Sequence, residues 1–338
     1  MEEIQELRVE RLIKIKAMEN VKKVAKDKYK LDIENNGSFI DKIKNQDIDI
    51  DTFLFDVEKD SYKKLKIFSI RDKDIEELTN PVFKDEFIKR NRIKNMENKE
   101  TIKGLNDNIR CTYFSDTNKY FVIKMAQKRL IVIEKEADNG ILEENFIYYD
   151  SVKFVIDKEE ALVFMFYNDA NMIADCDVDN GKAITQKKKA LYTMFAEGNK
   201  RTLNPYDSSQ ELSDYVLSFL KEYEEDQKIK EVQRHIVLIE TKDPVENKNN
   251  LRSSKKDCRH NKYRLQAIKY ALENEDHVVK MLECELDKRI VIIKENEIIL
   301  DGPFFGMEVI NNVCKEIFPE YKLYSREDES ERRNIQYP

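Results

Sequence analysis

The strongest constraint on the fold is residues 109–168, where short runs rich in aromatic and β-branched residues alternate with polar breaks. Side chains of these kinds fit the half-buried surface of a sheet, so each run predicts a strand. The breaks, such as Asp116-Thr117-Asn118 and Asp138-Asn139-Gly140, are typical of turns. The region therefore predicts an antiparallel sheet of about five strands. Their sequences are IRCTYFS, KYFVIKMA, KRLIVIEKE, NFIYYDSVKFVID and ALVFMFYN.

The region before this sheet is predicted to be mixed. Residues 1–30 have apolar residues at helical spacing, although residues 13–17 also alternate as a strand would; a helix is the preferred prediction. The stretches TFLFDVE and KKLKIFSI are predicted to be two strands. A helix is predicted to follow over residues 81–94.

After the sheet, helical spacing returns. A helix is predicted through QKKKALYTMFAEG, with Gly198 near its C-terminus, and another begins at about Ser208. The remaining pattern is typical of a compact α/β unit. It predicts a strand at 235–241, a helix at 262–274, strands at 278–286, 288–294 and 297–300, and a helix at 306–317.

These elements predict an α+β protein. A chain of 338 residues is long enough for about two or three domains. We expect an N-terminal mixed α/β region, a β-rich antiparallel middle domain, an α/β C-terminal domain that carries the candidate site, and an exposed tail. Their predicted bounds are 1–105, 106–205, 206–321 and 322–338.

Composition narrows the class of protein. Hydrophobic residues make up 41% of the chain and charged residues 38%, which is typical of a soluble globular protein. The net charge of -7 argues against coating nucleic acid by bulk electrostatics, but it allows a local basic patch. The charged start MEEIQELRVERL does not resemble a signal peptide, and the five cysteines form no C-x-x-C pair. We therefore expect a cytoplasmic protein with reduced thiols and no membrane partner.

The candidate site begins at HIVLIETKD, residues 235–243, where four apolar residues precede Glu240-Thr241-Lys242. A strand of this kind could fix a carboxylate to hold a divalent cation, with a lysine two residues on, projecting from the same face, to assist a water. The next helix carries Gln266 and Tyr270 one turn apart. The stretch that connects the strand to this helix, residues 252–264, contains six basic residues and one acidic residue. The basic residues are Arg252, Lys255, Lys256, Arg259, Lys262 and Arg264.

Over residues 235–270 this order of features resembles the PD-(D/E)xK nuclease superfamily, in particular its RecB-like branch. The resemblance implies a Mg²⁺-dependent nuclease in which Glu240 binds the metal, Lys242 assists the attacking water, and Gln266 and Tyr270 support the site. The family expects a second acid on the preceding strand of a hairpin. Here the preceding segment is predicted to be helical, and Asp226 is the candidate for that metal ligand, with Glu224, Glu225 and Glu231 nearby.

Other interpretations stay open. Glu240 and Lys242 are also compatible with an ordinary strand end, and the basic loop with a solvated surface. A second basic stretch, Lys187-Lys188-Lys189 with Lys200-Arg201, would extend a binding surface if the fold brought it alongside. Residues 175–181 place glycine one position too late for a calcium loop and favour a turn. Two cysteines and two histidines, Cys258, His260, His277 and Cys284, lack the usual zinc spacing.

The sequence thus predicts a nucleic-acid-interacting protein. Its Lys-, Ile- and Asn-rich composition is typical of an AT-rich bacterial or phage genome, so we expect a role in phage defence or a mobile element, with a divergent nuclease as one form of it. The alternative is a non-catalytic interaction subunit or inhibitor whose β-rich domain binds another protein. The glycine-rich phosphate loops of ATPases, kinases and dehydrogenases are missing from the sequence, which disfavours those enzymes.

Overall fold

The computed structural model describes residues 18–31, 45, 48–59, 62–102, 104–137, 140–168, 180–225, 235–245, 251–253, 262–286 and 289–301. Within these ranges the helices are α1 (Met18–Tyr29), α2 (Ile50–Glu58), α3 (Asp72–Thr79), α4 (Pro81–Arg90), α5 (Asn180–Tyr192), α6 (Ser209–Glu225) and α7 (Lys262–Glu273). The strands are β1 (Lys64–Ile70), β2 (Arg110–Asp116), β3 (Tyr120–Ala137), β4 (Gly140–Asp157), β5 (Leu162–Tyr167), β6 (Leu203–Pro205), β7 (His235–Lys242), β8 (Val278–Leu286), β9 (Arg289–Lys294) and β10 (Glu297–Asp301).

The chain divides into two compact units. The first contains the described residues up to and including Lys63 together with those of Phe68–Asn204, and the second contains Lys64–Ile67 and the described part of Pro205–Gly302. Strand β1 is therefore divided between them. The strands follow one another as β2-β3-β4-β5-β1 in the first unit and as β1-β10-β9-β8-β7 in the second, with β6 beside β1. The three domains and tail expected from sequence stay a prediction.

Strands β3 and β4 form a long antiparallel hairpin, in register from Tyr120 opposite Asp157 to Ala137 opposite Gly140. The sequence predicted two strands, KYFVIKMA and KRLIVIEKE, where the structure has β3 alone. The polar residues at 127–129 include no glycine or proline, so nothing interrupts the pairing of β3 with β4. Strands β2 and β5 pair with the part of the hairpin away from its turn.

Two apolar clusters stabilise the first unit. One joins α3, α4 and α5 to the sheet and includes Phe87, whose ring meets Phe121 edge-on at 5.7 Å between centroids. The other joins α1 and α2 to β3 and β4. Met125 belongs to the first cluster and Ala126 to the second. Because neighbouring side chains on a strand point to opposite faces, the clusters lie on opposite faces of β3.

Helix α2 corrects the prediction of a strand at TFLFDVE. Asp49 caps this helix, since its Oδ2 accepts a hydrogen bond from the Thr52 amide at 2.9 Å. Residues 53–58 are all buried, which a strand with one buried face would not produce. The alternation of Phe53 and Phe55 therefore indicated a strand where the structure has a helix. Strand β1 confirms the strand predicted at KKLKIFSI.

Three further helices differ from what the sequence predicted. Helix α3 was not predicted, and α4 ends at Arg90 instead of residue 94. Helix α5 ends at Tyr192, before the chain turns through Gly198. A Cβ atom at Gly198 would lie 1.5 Å from the Tyr192 carbonyl oxygen, so this turn needs glycine.

The second unit agrees closely with its predicted elements. Helices α6 and α7 and strands β7 to β10 all fall where the sequence placed them, within two residues. The hydroxyl of Ser213 accepts a hydrogen bond from the Val279 amide at 2.9 Å, joining α6 to β8. The outer edge of β7 is partly covered by residues 251–253: Thr241 donates to the Leu251 carbonyl and Ser253 donates to the Ile239 carbonyl, both at 2.9 Å.

The fold class is α+β with an antiparallel sheet, as predicted. The helix predicted at 306–317, the tail at 322–338 and the turn at 175–181 lie outside the described residues. In the described ranges, no helix combines the length and the apolar character that crossing a membrane requires.

Candidate nucleic-acid interface

Strand β7 fixes the position of Glu240 and Lys242. Ile236, Leu238 and Ile239 are almost fully buried and anchor the strand in the second unit. Glu240 and Lys242 flank the buried Thr241, so they point to the same face of β7, as the period of a strand predicts. Both side chains are mostly buried, with 15% and 17% of their surface exposed.

The carboxylate of Glu240 lies between two cations. Its Oε1 is 3.5 Å from Lys280 Nζ and its Oε2 is 3.8 Å from Arg252 Nε. Arg252 stands opposite Glu240 in an antiparallel bridge. Lys280 reaches the carboxylate because β8 has a bulge there: Glu240 pairs with Met281 and Thr241 with Val279, so Lys280 is the extra residue.

The metal site predicted at Glu240 and Asp226 stays a prediction. Lys242 forms an ion pair with Glu295. The part of the chain that the structure describes brings no group of three or more His, Cys, Asp or Glu side chains together as metal ligands. Hard cations such as Mg²⁺ need several oxygen ligands. Glu240 lies beside the cationic side chains of Arg252 and Lys280. Asp226, the predicted second ligand, lies outside the described residues.

Helix α7 has one buried face and one exposed face. Leu265, Ile268 and Leu272 are buried. On the other face Tyr263 is 85% exposed and Tyr270 is 68% exposed, and Gln266, also exposed, lies between them in sequence. We call Tyr263, Gln266 and Tyr270 the α7 face. The prediction that Gln266 and Tyr270 share a face is confirmed, and their catalytic role stays a prediction.

A basic cluster lies between α7 and β7. Arg264 Nη1 is 3.5 Å from the Arg252 carbonyl oxygen, which joins the first turn of α7 to the segment beside β7. We call Arg252, Arg264 and Lys280 the basic cluster. The side chains of Arg252 and Lys280 are 44% and 43% exposed. Two of these cations, Arg252 and Lys280, lie beside the carboxylate of Glu240, in a chain whose net charge is -7.

Other predicted basic residues separate into two groups. Lys255, Lys256 and Arg259 lie outside the described residues, and Lys262 begins α7. The second basic stretch belongs to the first unit. Its Lys187 is 1% exposed and pairs with Asp150 at 2.5 Å, so this lysine cannot form part of a binding surface.

The sequence analysis did not identify two residues of the candidate interface, Tyr263 and Lys280. Tyr263 could have been found, because it precedes Gln266 by three residues and Tyr270 by seven, which is the spacing of one helical face. Lys280 gave no local signal, since its approach to Glu240 depends on the bulge in β8. Of the zinc candidates, Cys284 is buried on β8, while Cys258 and His260 lie outside the described residues. The chain matches no protein-family model and no curated protein.

Proposed function

We propose that this chain is a nucleic-acid-binding protein whose contact surface consists of the α7 face and the basic cluster. The observation that carries the proposal is the pair of exposed tyrosines on one side of α7, the helix whose Arg264 contacts Arg252 beside Glu240. Aromatic side chains stack on unpaired bases and cations contact the phosphates, a combination typical of single-strand binding. Single-stranded DNA or RNA is therefore the proposed ligand.

Exposed tyrosines also occur in protein interfaces, which keeps the interaction-subunit alternative in view. The two functions differ in their dependence on salt. Binding to phosphates releases counterions, so affinity falls steeply and linearly on a log–log scale as salt rises. A protein interface based on tyrosine packing has no such obligatory slope.

The basic cluster gives the first test. Replacing Arg252 and Lys280 with Ala is expected to reduce the slope of log K against log salt by about 1.4, since each contact with a single strand contributes about 0.7. Glu240→Gln is expected to strengthen binding, because it frees the same two cations from their carboxylate. Fluorescence anisotropy with an oligodeoxythymidylate and an oligouridylate measures both effects.

Lys89→Ala is the matched control, because Lys89 is exposed on α4 of the first unit, whereas the basic cluster belongs to the second unit. It should leave the slope unchanged. Equal slopes for the wild type and the Arg252/Lys280 variant would remove the basic cluster from the proposal.

The nuclease hypothesis has its own experiment. Since the described surroundings of Glu240 are cationic, we expect the wild type to bind single strands in Mg²⁺ or Mn²⁺ without cutting them. Gel analysis of plasmid and single-stranded substrates, with and without the metal, measures this. Metal-dependent cleavage that disappears in Lys242→Ala, at an unchanged melting temperature, would contradict the expectation and support a PD-(D/E)xK-like nuclease with Lys242 in the catalytic role.

A further inference from the structure

The first unit contains an open cleft between β2, β3 and α5, with a volume of about 510 Å³. Sites for small molecules commonly have volumes of about 300–1,000 Å³. Ile109, Cys111 and Met125 give the cleft an apolar part, and most of its other lining side chains are polar. Burial raises the pKa of the Cys111 thiol to about 12, so the thiol adds no negative charge.

A fixed amide lies in the cleft wall. Gln127 is 4% exposed, and its Nε2 donates to Asp150 Oδ2 at 3.0 Å. Asp150 is itself held by Lys187 Nζ at 2.5 Å and by Arg129 Nε at 3.2 Å. Because Asp150 orients the amide, the carbonyl oxygen and the second N–H of Gln127 are held in position for a ligand.

Two more amides line the same cleft and are also oriented by the protein. Gln186 Oε1 accepts from Arg129 Nη2 at 2.9 Å. Asn91 Nδ2 donates to the carbonyls of Phe87 and Met194, both at 2.9 Å. Gln127 keeps a donor and an acceptor side by side, which matches the edge of a nucleobase, whereas Asn91 uses both of its N–H groups on the protein and offers its carbonyl oxygen. The half-buried side chain of Ile109 in the cleft wall suits the flat face of the same ring.

The charges of the cleft favour an anion. Arg110 and Lys189 line it and are exposed, against the single acidic lining residue Asp107. We propose that the cleft binds a mononucleotide, with the base beside Gln127 and Ile109 and the phosphate at Arg110 and Lys189. This ligand site is independent of the α7 face, because all of its residues belong to the first unit.

Isothermal titration calorimetry of the full chain tests the proposal. The probes are the four ribonucleoside 5′-monophosphates, their nucleosides and inorganic phosphate. At least one nucleotide is expected to bind more tightly than its nucleoside and than phosphate. The double variant Arg110→Ala/Lys189→Ala is expected to lose at least tenfold in affinity for that nucleotide, and Lys200→Ala, an exposed lysine outside the cleft, should lose none.

Gln127→Leu tests the base contact, and its melting temperature shows whether the variant is folded. If folded, it should lose affinity for the nucleotide and the nucleoside by similar factors. Because Arg110 and Lys189 are exposed, their double variant keeps the test decisive even where Gln127→Leu unfolds. Absence of binding by all four nucleotides, unchanged affinity in the double variant, or phosphate binding as tightly as the nucleotides would overturn the proposal.

Discussion

Replacing Lys187 with methionine is expected to lower the free energy of unfolding by about 3 kcal/mol, the lower end of the range for removing one member of a buried ion pair, because Asp150 keeps Arg129 as a second cationic partner. Lys187 is 1% exposed, and its ammonium group pairs with the buried carboxylate of Asp150. It also donates to the Asn168 carbonyl at 3.3 Å. Methionine retains the length and apolar stem of lysine, so the loss reports a buried carboxylate deprived of a partner and not a cavity. Urea denaturation followed by circular dichroism measures the change.

Lys189→Met is the matched control for that substitution, because Lys189 is exposed on the same helix. Its effect is expected to stay within about 0.5 kcal/mol. Adding Asp150→Asn to Lys187→Met should recover part of the stability, since it removes the buried charge that Arg129 is left to balance. Equal losses for Lys187→Met and Lys189→Met would show that the buried pair contributes nothing particular.

The double substitution Tyr263→Ala/Tyr270→Ala is expected to weaken single-strand binding by about 2–6 kcal/mol, because each stacked base contributes about 1–3 kcal/mol. The lower value corresponds to a loss of about 30-fold in affinity. Both side chains are more than half exposed, so the fold should be retained. Anisotropy titrations with an oligodeoxythymidylate and a duplex of equal length, at one salt concentration, measure the loss. The duplex should be affected far less, because its bases are already stacked.

Tyr263→Phe/Tyr270→Phe separates stacking from hydrogen bonding. Phenylalanine keeps the ring and loses the hydroxyl, so this variant should bind single strands nearly as well as the wild type. If the alanine variant binds single strands unchanged, the α7 face takes no part in recognition and the interaction-subunit alternative gains support. The contribution of the basic cluster to the salt dependence of binding is tested separately by the Arg252/Lys280 variant.

The sequence was most informative where spacing alone decides which face a residue occupies. Glu240 and Lys242 share a face because strands have a period of two, and Gln266 and Tyr270 because helices have a period of 3.6. The same logic failed for α2, where Phe53 and Phe55 alternate as in a strand. The helix there depends on the cap at Asp49 and on apolar partners from α1 and β4, which lie elsewhere in the chain.

Charge was less informative than spacing, because the partner of a charged residue can be distant in sequence. Lys187 stands in a run of three lysines, which normally indicates a solvated surface, yet Asp150 from β4 allows it to be buried. Similarly, Glu240 and Lys242 fit a metal-dependent site when only neighbours in sequence are considered. The pairing of β7 with β8 and residues 251–253 brings cations to Glu240, and no local pattern predicts that pairing.

The division of β1 between the two units affects how the chain is made. Lys64 pairs with Ile299, and Lys66 forms a 3.5 Å ion pair with Glu297 on β10. Residues 64–67 leave the ribosome long before β10 has been synthesised. The chain between β1 and β10 must form a long loop before the two strands can pair, and closing such a loop is slow. Strands β2 to β5 can assemble during that interval, whereas β1 must wait for its second neighbour. The sheet of the second unit can therefore be completed only late in translation. Until then the edge of β1 that later pairs with β10 is exposed, and another strand can pair with it wrongly.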